Sequence, residues 1–458
     1  MTPTKPDRFT AVLAAAAMGV YALLVVGATS ALTNASSACS TWPACDGRWY
    51  AVDSLSLAVV WGHRTLAVVT GVLVVVAAVL AWRRGASRRV RTAITVAIAA
   101  YPVQVGVGAL TATSGSSAAL SGAHLALGVL IFAGLVAALA WTLETETAHL
   151  PSGEWEGEPK GDDGDSSVPS TGPVATLYAY FRLTKPRLMW LLCLVAAAGM
   201  ALAAGPSLRM GTVAATLGGG VLAIGASGTF NHVLEREKDK KMSRTDDRPL
   251  ATDRIPKRNA LAFGFALAAA SLVAFYSVNA LTALLGLTAI IFYSVIYTLV
   301  LKPNTRQSTV IGGAAGALPA LIGWAAVTGE VGVAGLALAA VIFLWTPAHF
   351  YNLALAYKDD YERGGFPLMP VVSGEATTRK HIVYYLGATL VSAMVLAALA
   401  GLGLLYAATT VVFGGVFLYA AVRLHRERDR PAAMRAFHAS NAYLGCLLVA
   451  VVVDAVVV

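Results

Sequence analysis

Asn231, Glu235 and Asp239 stand four residues apart, a spacing that stacks three side-chain oxygens along one face of a helix end. Oxygen-only ligands suit a hard cation such as magnesium, which keeps several waters and shares itself with substrate phosphates. Arg244 and Arg248 follow in the same segment, placed to grip a diphosphate through charge-assisted, forked hydrogen bonds. Taken alone, this set also reads as a solvated loop of mixed charge. A second acidic pair, Asp359 and Asp360 within Tyr357-Lys-Asp-Asp-Tyr361, weighs against that reading. Two acidic patches facing each other across the mouth of a helix bundle, with Arg and Lys around them, specify a site for a metal-bridged diphosphate. The apolar tail of such a substrate would lie between helices. The chemistry this suits is transfer of an allylic group: cations stabilise the departing diphosphate, and the carbocation is shielded from water until an acceptor attacks. No nucleophilic side chain is required.

The elements that must position these residues are membrane spans. Of 458 residues, 57% are hydrophobic and 13% charged, about half the charged share of an ordinary soluble domain, which excludes a soluble globule. Thirteen apolar runs are long enough to cross a bilayer, near 9–33, 56–82, 92–112, 118–142, 187–205, 211–233, 259–276, 280–301, 308–328, 332–356, 381–401, 404–422 and 438–458. The expected fold is therefore an all-α polytopic membrane protein, with the lipid membrane as its surroundings. The first run is too long for a cleaved signal core and reads as a retained span.

The net charge of +9 would suggest nucleic acid in a soluble protein. Here the basic residues sit in short connections, so no nucleic-acid partner is expected. With the N-terminus cytoplasmic, nine Lys or Arg between Arg236 and Arg258, four between Lys358 and Lys380 and five between Arg423 and Arg435 fall inside, whereas the outer connections hold only Arg48 and Arg209. This asymmetry predicts a multi-pass protein of the cell membrane with N-terminus and acidic loops cytoplasmic and C-terminus outside. It also puts Cys39 and Cys45 outside, where a disulfide can persist. Cys193 and Cys446 lie in apolar runs and read as inert.

Residues 143–175 break the pattern. Glu144, Glu146, Glu154, Glu156, Glu158, Asp162, Asp163 and Asp165 among Gly, Ser and Pro read as a flexible acidic linker. The expected organisation is a four-span module over 1–145, a linker over 146–178 and a nine-span module over 179–458.

The nine-span module resembles the UbiA-type prenyltransferase superfamily, and within it the protohaem farnesyltransferase (haem O synthase) group. The superfamily resemblance rests on the two acidic loops, with Glu235 where many relatives carry Asp. The narrower one rests on Leu183-Thr-Lys-Pro-Arg187, Met242-Ser-Arg-Thr245, Arg248-Pro249, Tyr297-Thr298, Leu301-Lys302, Gly312 to Pro319, Pro347-Ala-His349-Phe350 and Asp360-Tyr361. It implies that farnesyl diphosphate and haem b are the substrates, joined at a haem vinyl group with water supplying a hydroxyl, to give haem o. Asn231, Glu235, Asp239, Asp359 and Asp360 are then the catalytic set, with Asn231, Glu235, Asp239 and Asp360 as magnesium ligands. Lys185, Arg187, Arg244, Arg248 and Lys302 are the diphosphate contacts. His349 contacts haem or its iron, or is an interhelical hydrogen-bonding residue; both readings stand. Gly312 to Gly316 fits close helix packing better than a phosphate cradle. The alternatives are another UbiA-type prenyltransferase, or a haem carrier or oxidase assembly factor without catalysis.

In the four-span module His63 and His124 each lie six or seven residues into a span entered from outside, hence roughly 10 Å below the outer surface at 1.5 Å per residue. Equal depth is what two axial ligands of one haem need, although a lone intramembrane histidine is more often an interhelical hydrogen-bonding residue. Gly62 and Gly122 leave room for a flat macrocycle. This module resembles one half of the haem A synthase family through Gly27, Leu32-Thr33, Cys39 and Cys45 around Trp42-Pro43, Gly62-His63-Arg64 and His124-Leu-Ala126. That implies haem bound by His63 and His124. The family's catalytic half tends to carry a Glu three residues before the first histidine. Val60 stands there, so haem binding or hand-over is expected rather than oxidation. Haem A synthase and terminal-oxidase assembly proteins are the expected protein partners.

Overall fold

A computed structural model describes residues 7–32, 38–50, 52–115, 117–147 and 172–457. The helices are α1 (Arg8–Leu32), α2 (Leu55–Arg83), α3 (Arg88–Ser114), α4 (Ala118–Thr147), α5 (Pro173–Leu183), α6 (Pro186–Ala204), α7 (Met210–Asp239), α8 (Lys257–Tyr276) and α9 (Ala280–Ile291). A π-helical segment, Phe292–Leu301, continues α9 into the short α10 (Lys302–Asn304). The remainder are α11 (Ser308–Thr328), α12 (Val333–Ala356), α13 (Lys358–Arg363), α14 (Met369–Val372), α15 (Glu375–Ala400), α16 (Leu404–Glu427) and α17 (Arg430–Val457). Among the described residues 13 helical spans are long and apolar enough to cross a membrane, the number that hydropathy predicts. The chain is a multi-span, all-α membrane protein.

The chain forms two compact units, one of Met1–Ser152 with Arg379–Arg428, the other of Gly153–Thr378 with Asp429–Val458. In the first, α1 packs on α2, α4 and α16, and α3 packs on α4. Residues 379–428, expected inside the nine-span module over 179–458, instead group with the first four spans. Small residues permit the approach: a Cβ on Gly387 would sit 2.9 Å from a methyl of Val136.

The acidic stretch is shorter than expected, because α4 continues through Glu144 and Glu146 to Thr147 and α5 begins at Pro173. Both carboxylates find cations on neighbouring helices. Glu144 pairs with Lys380 at 3.0 Å, and Glu146 with Arg84 and Arg426 at 3.3 Å each while accepting from Thr10 at 2.8 Å. The acidic residues from Glu154 to Asp165 lie outside the described residues.

In the second unit α6 lies against α11 with backbones touching: a Cβ on Gly199 would strike the Ala320 carbonyl, and one on Gly323 the carbonyl of Ala196. The Gly312–Gly316 stretch also serves packing. A Cβ on Gly312 would meet the Tyr297 ring at 2.7 Å, and one on Gly313 the Phe343 carbonyl at 3.0 Å. Helix α12 is tied to α17 by the Trp345 indole, which donates to the Ser440 carbonyl at 3.0 Å.

Candidate active site

The polar residues of the second unit gather at the bundle end formed by the start of α6, the end of α7, the π-helical segment with α10, and the turn from α12 into α13. Asn231, Glu235 and Asp239 are 2%, 4% and 1% exposed, so the i, i+4, i+8 stripe points into the bundle. Each oxygen set meets a cation. Lys185 Nζ donates to Asn231 Oδ1, Lys302 Nζ pairs with Glu235 at 2.6 Å, and Arg248 donates to both oxygens of Asp239 at 2.9 and 3.0 Å.

Lys185 occupies the left-handed backbone region, φ 54°, at the N-cap of α6. A non-glycine residue there carries strain that surrounding contacts must hold. The Pro186 that follows starts the helix, and the ammonium is directed onto Asn231 and, at 3.4 Å, the Tyr293 hydroxyl. Burial, reinforced by the positive charge of Arg248, pulls the Lys185 ammonium down to about 7.

Asp360 is 1% exposed and links the two acidic loops. Its Oδ1 accepts the Ser243 amide at 2.9 Å and the Ser243 hydroxyl at 3.0 Å, its Oδ2 accepts the Arg244 amide at 3.1 Å, and Arg363 pairs with it. Burial raises its affinity for a proton, but these donors together outweigh burial and hold the carboxyl below its ordinary value. The Arg244 guanidinium donates to the Tyr361 hydroxyl at 3.2 Å and lies 4.9 Å from the centre of the Tyr357 ring. The Tyr361 phenol beside it outweighs burial and raises its affinity for a proton. Lys238 and Lys302 stand 4.3 and 4.4 Å over the Phe366 ring.

Not every expected residue converges. Asp359 is exposed on α13, on the side away from its buried neighbour, and Arg187 is exposed on the first turn of α6. His349 lies on α12, about two turns before the helix ends at Ala356. Its ring is stacked between Trp345 at 4.2 Å and Phe437 at 4.3 Å, and Nδ1 bonds Ser440 Oγ at 2.7 Å. The interhelical hydrogen bond is therefore present, and Nε2 carries none among the described residues. Tyr293, Thr298, Ser243 and Phe366 join the site without having been singled out for it. Thr298 and Ser243 carried a signal, as parts of Tyr297-Thr298 and Met242-Ser-Arg-Thr245.

Whether the donors fit magnesium turns on their chemistry. They are carboxylates and one amide oxygen. No group of three or more His, Cys, Asp and Glu among the described residues is close enough to hold a metal unaided. Magnesium asks for little more than one or two carboxylates together with substrate phosphates. The oxygen set fits.

In the first unit, His63 lies on α2 and His124 on α4. A Cβ on Gly27 would lie 3.4 Å from the His63 ring, and one on Gly108 2.9 Å from the His124 ring. His124 Nε2 is 3.4 Å from Gln104 Nε2, and Nδ1 of both histidines is buried with no hydrogen-bond partner. Gly62 and Gly122 face open space. Cys39 and Cys45 form a disulfide, and Arg64, next to His63, donates to the Thr41 and Pro43 carbonyls of that loop at 2.9 and 3.0 Å. Thr33, part of the expected resemblance, lies outside the described residues.

The profile of the UbiA prenyltransferase family matches residues 191–445, and that of a cytochrome oxidase assembly protein family matches residues 2–136. A protein named protoheme IX farnesyltransferase from Halobacterium salinarum is 72% identical over 464 residues, covering 100% of both chains. One of the same name from Haloarcula marismortui is 62% identical over 456 residues, covering 98% of each. A solved structure concerning digeranylgeranylglyceryl phosphate synthase in membranes shares the fold over 62% of this chain and 100% of that one, with TM-score 0.53 at 15% identity.

Proposed function

The chain belongs to the UbiA prenyltransferase family, and from that premise we propose that it makes haem o by transferring the farnesyl group of farnesyl diphosphate to a vinyl group of haem b. The observation that carries this is the cation-ringed, buried end of the bundle, where Lys185, Lys302 and Arg248 meet Asn231, Glu235 and Asp239. The full-length relatives supply the acceptor.

In this reading Lys185, Arg244, Arg248 and Lys302 bind the diphosphate and offset its charge as the allylic C–O bond breaks and the electron pair leaves with it. Asn231, Glu235 and Asp239 would hold magnesium, which neutralises phosphate charge when bound; Asp360, expected as a further ligand, has both oxygens engaged by Ser243, Arg244 and Arg363 instead. The vinyl terminal carbon forms the new bond to the farnesyl carbon. The cation left beside the porphyrin takes up water, and a proton is released, leaving a hydroxyl. Asp360 acts on the site through the Ser243–Arg244 backbone, keeping Arg244 in place. His349, with Nδ1 fixed by Ser440, presents Nε2 as a haem contact. The positive-inside rule orients this end toward the cytoplasm of the cell membrane.

The first unit, by the same proposal, binds haem between His63 and His124. Two imidazoles on different helices with unsatisfied Nδ1 atoms and glycines against their rings support this, and Val60 speaks against oxidation there. Haem A synthase and oxidase assembly proteins are the expected neighbours. Incubating membranes with haem b, farnesyl diphosphate and magnesium and analysing the extracted haems by mass spectrometry tests the main reading. A hydroxyethylfarnesyl haem is expected, and its absence would overturn the assignment.

A further inference from the structure

Ten consecutive residues, Phe292–Leu301, adopt the π-helical form, whereas π-helix elsewhere is mostly a single-turn bulge, frequent at functional sites. The segment forms one wall of the site. Helical threonines elsewhere, such as Thr229, Thr288 and Thr346, donate to the carbonyl four residues back. Thr298 instead donates to the carbonyl of Tyr293, five residues back, at 2.8 Å. In an α-helix residues five apart diverge by about 140°, at about 100° per residue. In the i→i+5 ladder of a π-helix they fall on the same face. The π register therefore turns both Tyr293 and Thr298 toward the same corner. Tyr293 meets Lys185, and Thr298 meets Asn231.

The hydrogen bonds there have one direction. Lys185 donates to Asn231 Oδ1, Asn231 Nδ2 donates to Thr298 Oγ1 at 3.2 Å, and the Thr298 hydroxyl passes its proton bond to the Tyr293 carbonyl. Thr298 Oγ1, committed as a donor to the carbonyl, can only accept from Asn231. An amide has one oxygen and one NH2, so anchoring the NH2 on Thr298 leaves the oxygen facing the cation side. The reverse orientation would set NH2 against the Lys185 ammonium, donor against donor.

We propose that Thr298, set in register by the π-helical segment, is a positioning residue that fixes the Asn231 amide with its oxygen toward the bound cation. This rests on the reading of Asn231 as a cation ligand. When the Lys185 ammonium turns to the diphosphate, Thr298 is what still holds the amide.

The test uses the full chain in detergent, with Mn2+ as an electron-paramagnetic-resonance probe in the presence of inorganic diphosphate. Thr298→Val keeps the shape and removes the hydroxyl; Thr298→Ser keeps the hydroxyl. Outer-shell partners of metal ligands are worth about 10- to 100-fold in affinity, so Thr298→Val should weaken Mn2+ by about that factor while Thr298→Ser stays near wild type. In turnover the half-saturating Mg2+ concentration should rise in Thr298→Val with the KM for haem b unchanged. Thermal melts accompany each variant, and Thr298→Ala replaces the valine variant if that one is not recovered folded. If Asn231→Ala weakens Mn2+ and Thr298→Val does not, the role of Thr298 is overturned. If Asn231→Ala leaves Mn2+ binding unchanged, Asn231 is no ligand, and the proposal falls with that reading.

Discussion

The carboxylate of Asp360 accepts both the backbone amide and the hydroxyl of Ser243, at 2.9 and 3.0 Å, across 117 positions of sequence. The two acidic loops are thereby one structure. The loop that carries Arg244 and Arg248 keeps its shape only while the loop after α12 holds it.

The first prediction separates two adjacent acids. Asp360→Ala strips the acceptor from two amides, a hydroxyl and Arg363, and should cost about 2–4 kcal/mol of stability together with most of the activity. Asp359→Ala, on the exposed side, should leave both within about twofold, since exposed charges contribute about 0–1 kcal/mol. Haem o formation and detergent melts of the two variants decide it; equal losses would show that Asp359 also acts in the site.

A pH dependence follows from the same carboxylate. Its folded pKa is held below the ordinary value of 3.8, so its charge favours the folded state. The sign is that of a depressed acid: the stabilisation is fully present above the ordinary value and is lost as pH falls through the lower folded one. The stability gap between wild type and Asp360→Asn should therefore be constant near neutrality and narrow on acidification below about pH 4. A gap that widened there would contradict the donor arrangement.

Lys302 and Glu235 form a buried pair at 2.6 Å. Removing one member of such a pair leaves a buried charge uncompensated, at about 3–5 kcal/mol, whereas removing both costs much less. Lys302→Met should thus destabilise more than Lys302→Met with Glu235→Leu, while both lose farnesyl diphosphate binding. Chemical unfolding in detergent and a double-mutant cycle measure the coupling.

Much of this was legible in the sequence because it is local or periodic. Thirteen spans follow from apolar runs, and the stripe of Asn231, Glu235 and Asp239 follows from four-residue spacing. What pairs with that stripe was not legible, since Lys302 and Glu235 are 67 positions apart and charge alone does not choose among the basic residues of one side. Which of Asp359 and Asp360 turns inward depends on the path of α13, a six-residue helix. The π register of Phe292–Leu301 has no compositional mark, because its residues are as apolar as those of any span. Glu144 and Glu146 looked like linker because none of their partners is local: Lys380 and Arg426 lie more than 230 positions away, and Arg84 and Thr10 lie 62 and 136 positions before Glu146.

The last prediction concerns the histidine pair of the first unit. A methyl at Gly108 would sit 2.9 Å from the His124 ring, tighter than side chains tolerate, while one at Gly27 would lie 3.4 Å from His63, near ordinary contact. Alanine also raises helix propensity over glycine by about 1 kcal/mol, so neither change should unfold α3 or α1. Gly108→Ala should therefore displace the His124 ring and disturb a bis-histidine haem spectrum, with Gly27→Ala nearly silent. His63→Ala and His124→Ala should each abolish that spectrum. Visible absorption of the purified, haem-loaded chain reads all four variants, and an unaltered spectrum in both histidine variants would remove haem from between these two residues.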